Sequence, residues 1–224
     1  MTENPGAPAR SLFPEYPRIP SMYADEVEGL PEDLLDRRRP EKGWGRWTVR
    51  EQVSHVASVF YRWILLRWAP VLFGENLPRD KSLADTGGAE RMLDPARFHA
   101  MEDLLEALRD GADLVWEVLG AETAASLREK EISDRIDPQA RRPPAGESVR
   151  EWREKVTLKA HTSGIRIAAD DPDLYYYTLE FTVRHMLWEA YAHLKTIQMH
   201  KAAEGLPARV EIPEVGYNKI LAWD

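Results

Sequence analysis

The apolar residues of this chain recur mostly at the three- and four-residue spacing of amphipathic helices. Val53, Val56 and Phe60, for example, fall on one face of a helix predicted over residues 49–69. The same reasoning predicts long helices over 95–119, 148–169 and 173–204 and short helices over 21–29 and 31–38. Because no strand-rich pattern is present, we predict an all-α protein.

The predicted helices are bounded by residues that favour caps, turns and loops. Thr48 and Glu51 have the spacing of a capping box, in which each side chain accepts a hydrogen bond from the other residue's backbone N–H. Pro70 is expected to end or kink the helix that begins after Thr48, because proline has no backbone N–H to donate. We expect loops over residues 74–93 and 131–146, where glycine and proline interrupt the helical pattern.

The length of the chain, 224 residues, suits one helical domain with extensions at both ends. Residues 1–20 contain five prolines, a density that prevents regular helix, so we expect an N-terminal proline-rich arm. The helical domain is predicted over residues 21–205, where Gly205 and Pro207 stop the last helix. Residues 206–224 are predicted to form a C-terminal tail.

Charge and composition narrow the possible classes of function. The formal net charge of -8 disfavours binding to the phosphate backbone of nucleic acids. The sequence has no cysteine, which excludes disulfides, thiolate metal ligands and a cysteine nucleophile. Its most apolar stretch, residues 63–73, is far shorter than the ~20 residues that a membrane helix needs. Since the N-terminus shows no secretory signal pattern, we expect a cytoplasmic protein that binds neither nucleic acid nor membrane.

Three polar residues on two of the long helices are candidate metal ligands. Glu189 and His193 are four residues apart, so they project from the same helix face one turn apart. His55 lies within the apolar helix predicted over 49–69 and is the obvious third ligand. Two imidazoles and a carboxylate suit a divalent transition metal, and three protein ligands leave positions open for water or substrate. The alternative is a packing role, because Glu and His at this spacing also occur on helices by chance.

Two segments, residues 47–57 and 185–193, resemble the DinB/YfiT-like superfamily of metal-binding four-helix bundles. Residues 47–57, Trp-Thr-Val-Arg-Glu-Gln-Val-Ser-His-Val-Ala, are similar to the start of that family's second bundle helix, where a histidine two turns in is a metal ligand. Residues 185–193, His-Met-Leu-Trp-Glu-Ala-Tyr-Ala-His, resemble its last helix, where the other two ligands are four residues apart. The resemblance implies a DinB-like four-helix bundle with His55, Glu189 and His193 as ligands.

The resemblance also implies a class of activity and a set of partners. Most members have histidine where this chain has Glu189, and glutamate there resembles the mycothiol-dependent maleylpyruvate isomerase branch. We therefore expect a thiol-dependent S-transferase or isomerase that acts on a small electrophile, uses a low-molecular-weight thiol and forms a homodimer. Zinc is the expected metal, and nickel, iron and manganese are alternatives. Metal-assisted hydrolysis and a non-enzymatic binding module remain alternative functions.

Other polar residues on the same helices are weaker candidates. His185 lies one turn before Glu189 and could be a partner of the metal ligands, a proton shuttle or a fourth ligand; burial in a structural role is the alternative. Arg62 could hold an anionic group of a substrate, although a salt bridge is the simpler expectation. We expect His200 to be exposed near the end of its helix, and we assign no role to His161.

Overall fold

The computed structural model describes residues 4–89, 91–140 and 148–223, and most of these residues are helical. The α-helices are α1 (Ile19–Val27), α2 (Glu32–Leu35), α3 (Val49–Tyr61), α4 (Ala69–Leu72), α5 (Met101–Ala121), α6 (Ala124–Glu129), α7 (Val149–Trp152), α8 (Leu158–Ala160) and α9 (Leu179–Ala202). The strands are β1 (Glu131–Arg135), β2 (Ile165–Ile167) and β3 (Leu174–Thr178). No helix among the described residues is both long and apolar enough to span a membrane.

Helices α1, α3, α5 and α9 pack around the main hydrophobic core. Helix α3 contacts both α5 and α9, and α1 contacts the same two helices. Phe60 of α3 is fully buried, and a Cβ atom on Gly111 of α5 would lie 3.1 Å from its side chain. The glycine therefore allows α3 and α5 to approach closely. Burial of a side chain such as Phe60 contributes about 1.5–3 kcal/mol to stability.

The first long helix begins where the sequence predicts, but its backbone changes before its predicted end. The capping box of Thr48 and Glu51 is present, with Thr48 Oγ1 accepting from the Glu51 N–H at 3.1 Å. After Tyr61 the chain continues as a π-helical segment, Arg62–Arg67, and Pro70 then lies in the first turn of α4. The continuous helix predicted over 49–69 is therefore three consecutive segments.

The prediction of an all-α protein was wrong in one region, where β1, β3 and β2 form an antiparallel three-stranded sheet in that order. Tyr175 and Tyr177 point to the buried face of β3, whereas Tyr176 is half-buried. This alternation is a strand pattern, and consecutive tyrosines favour strands. The helix predicted over 173–204 therefore begins only at Leu179, after the N-cap residue Thr178.

Three further predicted boundaries differ from the structure. The helix predicted over 148–169 is divided into α7, a π-helical segment and α8, and the chain then enters β2. The loop predicted over 131–146 instead begins with β1, while residues 141–147 lie outside the described residues. Helix α5 starts at Met101, later than predicted, because the chain forms turns between Asp94 and Met101.

The described N-terminal residues pack into the core, so the structure does not show a separate proline-rich arm. Two 3-10 turns, Ala9–Leu12 and Tyr16–Arg18, lead directly into α1. Tyr16 is fully buried and its hydroxyl donates to the Val183 carbonyl of α9 at 2.6 Å. Pro20 lies in the first turn of α1, a position that needs no N–H donor.

The C-terminal segment after α9 returns along the bundle and is held by the buried carboxylate of Glu26. That carboxylate accepts the backbone N–H groups of Arg209 and Val210 at 2.8 and 2.9 Å. It also forms an ion pair with the buried ammonium group of Lys201. Further on, the 3-10 turn Gly216–Lys219 packs against α9. The segment is thus an integral part of the fold.

Candidate metal site

The structure brings the three predicted metal ligands together between α3 and α9. Glu189 Oε2 lies 3.7 Å from His55 Nε2 and 3.2 Å from His193 Nε2. One ligand atom of each residue lies within 4.8 Å of the other two, a spacing that one metal ion can bridge. His55 and Glu189 are buried and His193 is half-buried. The two helices therefore build a group that could hold a metal ion.

The other nitrogen of each imidazole has a hydrogen-bond acceptor. His55 Nδ1 is 2.7 Å from the Arg91 carbonyl, and His193 Nδ1 contacts Gln52 Oε1. The Gln52 amide nitrogen donates to the Trp47 carbonyl at 3.5 Å, which leaves its oxygen facing His193. Because both partners are acceptors, both Nδ1–H groups can donate to them, and both Nε2 atoms face Glu189. A neutral imidazole that donates from Nδ1 has its Nε2 lone pair available for a metal ion.

The ionisation states also suit a bound cation. Burial lowers the pKa of His55 well below its usual value, despite the opposing contact with Glu189, so the imidazole is neutral. Burial by itself would raise the pKa of Glu189, but contacts with His193 and His55 lower it well below its usual range. Imidazole nitrogens and a carboxylate that face one another are held together by a proton or a metal cation between them. The donor set therefore fits a divalent metal.

Trp47 packs over the two imidazoles. Its ring centroid is 4.8 Å from that of His55 and 5.6 Å from that of His193, with which it stacks at 18°. The Arg91 guanidinium lies 4.8 Å from the centre of the Trp47 ring. His200 is fully buried and hydrogen-bonds to the Trp47 carbonyl at 3.0 Å, so the prediction that it is exposed was wrong. His200 instead anchors the residue that covers the ligands.

Arg62 lies beside the candidate site, where its guanidinium contacts protein groups. Its Nε donates to Ser58 Oγ at 2.8 Å, and Nη2 donates to the Arg91 carbonyl at 3.4 Å. That carbonyl is also the partner of His55 Nδ1. Arg62 therefore supports the loop residue that orients a candidate ligand, and its predicted contact with an anionic substrate remains a prediction.

His185 faces a second polar cluster rather than the candidate ligands. Its Nδ1 atom is 2.6 Å from the hydroxyl of Tyr217, and His161 Nε2 is 3.1 Å from the same hydroxyl. Tyr217 is brought there by the C-terminal segment and is fully buried. Gly216 has a positive φ of 54°, and a Cβ atom on it would lie 2.1 Å from the Trp188 ring, so only glycine allows this approach. No role was predicted for His161 or Tyr217 from the sequence.

Several residues that support the candidate ligands were missed from the sequence. The role of Gln52 could have been predicted, because it lies three residues before His55 on the same helix face. The role of Arg91 could not, because it contributes a backbone carbonyl from a loop. Trp47 was noticed only as part of the family motif, although its ring covers both histidines.

The fold and the triad define a helical protein with a candidate metal site, and its family can be named. The model of the DinB superfamily matches residues 16–197, and the chain therefore belongs to this superfamily. The match includes all three candidate ligands and ends before Tyr217. Neither a curated protein nor a solved structure matched the chain.

Proposed function

We propose that this protein is a zinc-dependent enzyme that transfers a low-molecular-weight thiol to a small electrophile, as an S-transferase or an isomerase. The observation that carries the proposal is the triad, in which the Nε2 atoms of His55 and His193 lie 3.7 and 3.2 Å from Glu189 Oε2. A site with three protein ligands leaves at least one coordination position for a reactant, which is the arrangement of catalytic metal centres. Glu189 also matches the ligand expected in the thiol-dependent isomerase branch that the sequence resembles.

Zinc is the proposed metal because two imidazoles and one carboxylate are a common catalytic zinc set. Nickel, iron and manganese accept the same donors, so the identity of the metal is decided by measurement. A bound divalent cation would supply Lewis acidity that favours the thiolate form of a bound thiol at neutral pH. Because the chain has no cysteine, the nucleophilic sulfur has to come from a cosubstrate.

The surrounding residues support this chemistry over metal-assisted hydrolysis. A general base would help the attacking water in hydrolysis, and Glu189, which faces both imidazole Nε2 atoms, cannot easily be both a ligand and that base. The Trp47 ring packs against both histidines, so a reactant would approach the metal beside an apolar wall. A thiol can reach a metal as its thiolate and needs no base on the protein once it is bound. The triad is thus better suited to thiol chemistry.

The test is thiol transfer to monobromobimane, a reagent that becomes fluorescent when it reacts with a thiol. The zinc-loaded wild type is compared with His193→Ala, using mycothiol and bacillithiol in separate reactions, and with His99→Ala as an exposed histidine control. We expect His193→Ala to lose bound metal and enzymatic transfer together, while His99→Ala retains both. Transfer that survives the loss of the metal would contradict the proposal.

Two controls separate the proposed function from its alternatives. Hydrolysis of model esters without added thiol, at a rate that depends on His193, would favour the hydrolase. A metal-loaded protein that is inactive in both assays would favour a binding module. The predicted homodimer is a separate proposal, which the molar mass in solution tests.

A further inference from the structure

The segment between α4 and α5 contains a residue whose backbone conformation is rare. Arg91 has a φ of 64°, and it is the only residue other than glycine with a positive φ in the described part of the chain. In this left-handed region the Cβ atom crowds the following carbonyl oxygen, so residues with a side chain are disfavoured there. Such conformations persist where neighbouring contacts hold them, and they cluster at functional sites. Arg91 therefore marks a position where the fold overrides local preference.

Two backbone groups of this segment contact consecutive residues of α3. The Arg91 carbonyl lies 2.7 Å from His55 Nδ1, and the Leu93 N–H donates to Ser54 Oγ at 3.0 Å. Leu93, Ser54 and His55 are all buried. The left-handed conformation of Arg91 is thus held between two contacts with one helix, only two residues apart along the segment.

The Arg91 carbonyl influences the state of a candidate ligand. A carbonyl oxygen only accepts hydrogen bonds, so its contact with His55 favours the tautomer whose proton is on Nδ1. That tautomer leaves the Nε2 lone pair for a metal ion. The same oxygen accepts from Arg62 Nη2 at 3.4 Å, and its two lone pairs can serve both donors. The direction of this carbonyl therefore bears on both the tautomer and the ring orientation of His55.

The side chain of Arg91 contacts a different neighbour. Its guanidinium lies 4.8 Å from the centre of the Trp47 ring, which packs against His55 and His193. Trp47 is also held through its own carbonyl, which accepts a hydrogen bond from His200 Nε2 at 3.0 Å. The position of the ring therefore does not depend on the guanidinium alone, whereas the contact with His55 Nδ1 depends directly on the backbone of Arg91.

We propose that Arg91 is a positioning residue of the candidate metal site and that its left-handed backbone, rather than its guanidinium, sets the affinity for the metal. The proposal rests on the zinc of the proposed function and is independent of the thiol reaction. A change of backbone conformation at this position turns the carbonyl away from His55 and weakens metal binding without altering a ligand. The segment between α4 and α5 is thereby part of the metal site.

The experiment compares substitutions at this one position in the full-length protein. Arg91→Gly and Arg91→Asn remove the guanidinium but tolerate a positive φ. Arg91→Val removes the same guanidinium and strongly disfavours a positive φ, because valine is β-branched. The comparison of Arg91→Asn with Arg91→Val therefore separates the backbone from the charge of the side chain.

Two measurements are made on each variant. Competition titration against a chromogenic chelator gives the zinc affinity. Two-bond proton–nitrogen NMR spectra of zinc-free protein labelled with 15N-histidine give the tautomer of each imidazole, and His55→Gln and His161→Gln assign two of the signals. His161 serves as the control for an intact fold, because its Nε2 atom contacts Tyr217 rather than the segment between α4 and α5.

We expect Arg91→Gly and Arg91→Asn to bind zinc as tightly as the wild type and to keep the Nδ1–H tautomer of His55. Arg91→Val should weaken zinc binding by about 10–100-fold, the range for loss of a hydrogen-bond partner of a metal ligand, and should give His55 a mixture of tautomers. The His161 signal should stay the same in all variants. Arg91→Ala disfavours a positive φ less strongly, so it should fall between the two groups, and it decides the outcome if Arg91→Val does not fold.

Three results would overturn the proposal. Equal losses of zinc affinity in Arg91→Asn and Arg91→Val would assign the role to the guanidinium. Unchanged affinity and tautomer in Arg91→Val would show that the carbonyl is not needed. A wild type that binds no zinc would end both this proposal and the proposed function, whereas a wild type that binds zinc but transfers no thiol would contradict the proposed function alone.

Discussion

Two polar clusters lie one turn apart on α9, and different parts of the chain hold them. The candidate ligands His55, Glu189 and His193 come from two bundle helices, α3 and α9. The neighbouring cluster joins His185 of α9 to His161, which follows α8, and to Tyr217 of the C-terminal segment. The first cluster depends on the family fold, whereas the second depends on a segment beyond the family match.

The two clusters differ in how much of the chain builds them. The bundle places two imidazoles and a carboxylate around one point, and the Arg91 carbonyl and Gln52 Oε1 contact the Nδ1 atoms of the two imidazoles. The C-terminal segment then inserts one tyrosine beside that point. A candidate metal site within the family match and a cluster completed by a residue beyond that match therefore share one helix, and substitutions in each cluster should affect different properties.

The largest expected effect is a loss of zinc affinity when the first cluster is changed and not when the second is changed. Glu189→Ala removes the carboxylate of the triad. Loss of a residue that hydrogen-bonds to a metal ligand typically weakens metal binding by roughly 10–100-fold, and loss of the ligand itself should weaken zinc binding by more. His185→Gln, one turn away, should leave the affinity unchanged. Competition titration against a chromogenic chelator measures both variants. Weak binding by His185→Gln would show that the two clusters act as one site.

The next effect concerns how the C-terminal segment is held. Glu26→Ala leaves the buried Lys201 without its ion-pair partner and frees the backbone of Arg209 and Val210. Breaking a buried pair in this way should lower the free energy of unfolding by about 3–5 kcal/mol. Glu28→Ala is the matched control, because Glu28 forms an exposed ion pair with Arg209 and should cost less than about 1 kcal/mol. Urea denaturation measures both variants, and equal losses would refute the anchoring role.

A smaller effect is expected from a partner of the metal ligands. Gln52→Leu removes the acceptor that orients His193 but keeps all three ligands. Zinc affinity should fall by about 10–100-fold. Gln198→Leu serves as the control, since that amide contacts Glu26 and Val210 away from the triad. The same titration decides the outcome, and an unchanged affinity in Gln52→Leu would mean that the tautomer of His193 is fixed by other contacts.

The sequence predicts the first cluster because local rules govern it. Glu189 and His193 are four residues apart on a regular helix, and the capping box fixes where α3 begins. These features set the positions of the ligands along their helices, and the family resemblance supplies the pairing of α3 with α9. Gln52 follows from the same periodicity, although it was not recognised.

The sequence fails to predict the second cluster because its contacts are long-range. Tyr217 is separated by 32 residues from His185 and by 56 residues from His161, and no local pattern links them. The tyrosine run at 175–177 lies within the segment that the sequence predicts as a helix over 173–204. Pairing with β1 and β2 makes it a strand, since tertiary pairing overrides weak local preference. Thr178, at the end of β3, is the N-cap residue of α9 and fixes where that helix starts.

The most direct test of the account is elemental analysis of the purified, zinc-reconstituted protein beside His55→Ala and His99→Ala. We predict about one zinc ion per chain in the wild type and in His99→Ala, and little or none in His55→Ala. The reason is that His55 is one of three convergent ligands, whereas His99 is exposed and outside the triad. No bound metal in the wild type after reconstitution, or equal metal in His55→Ala, would contradict the assignment of the triad as a metal site.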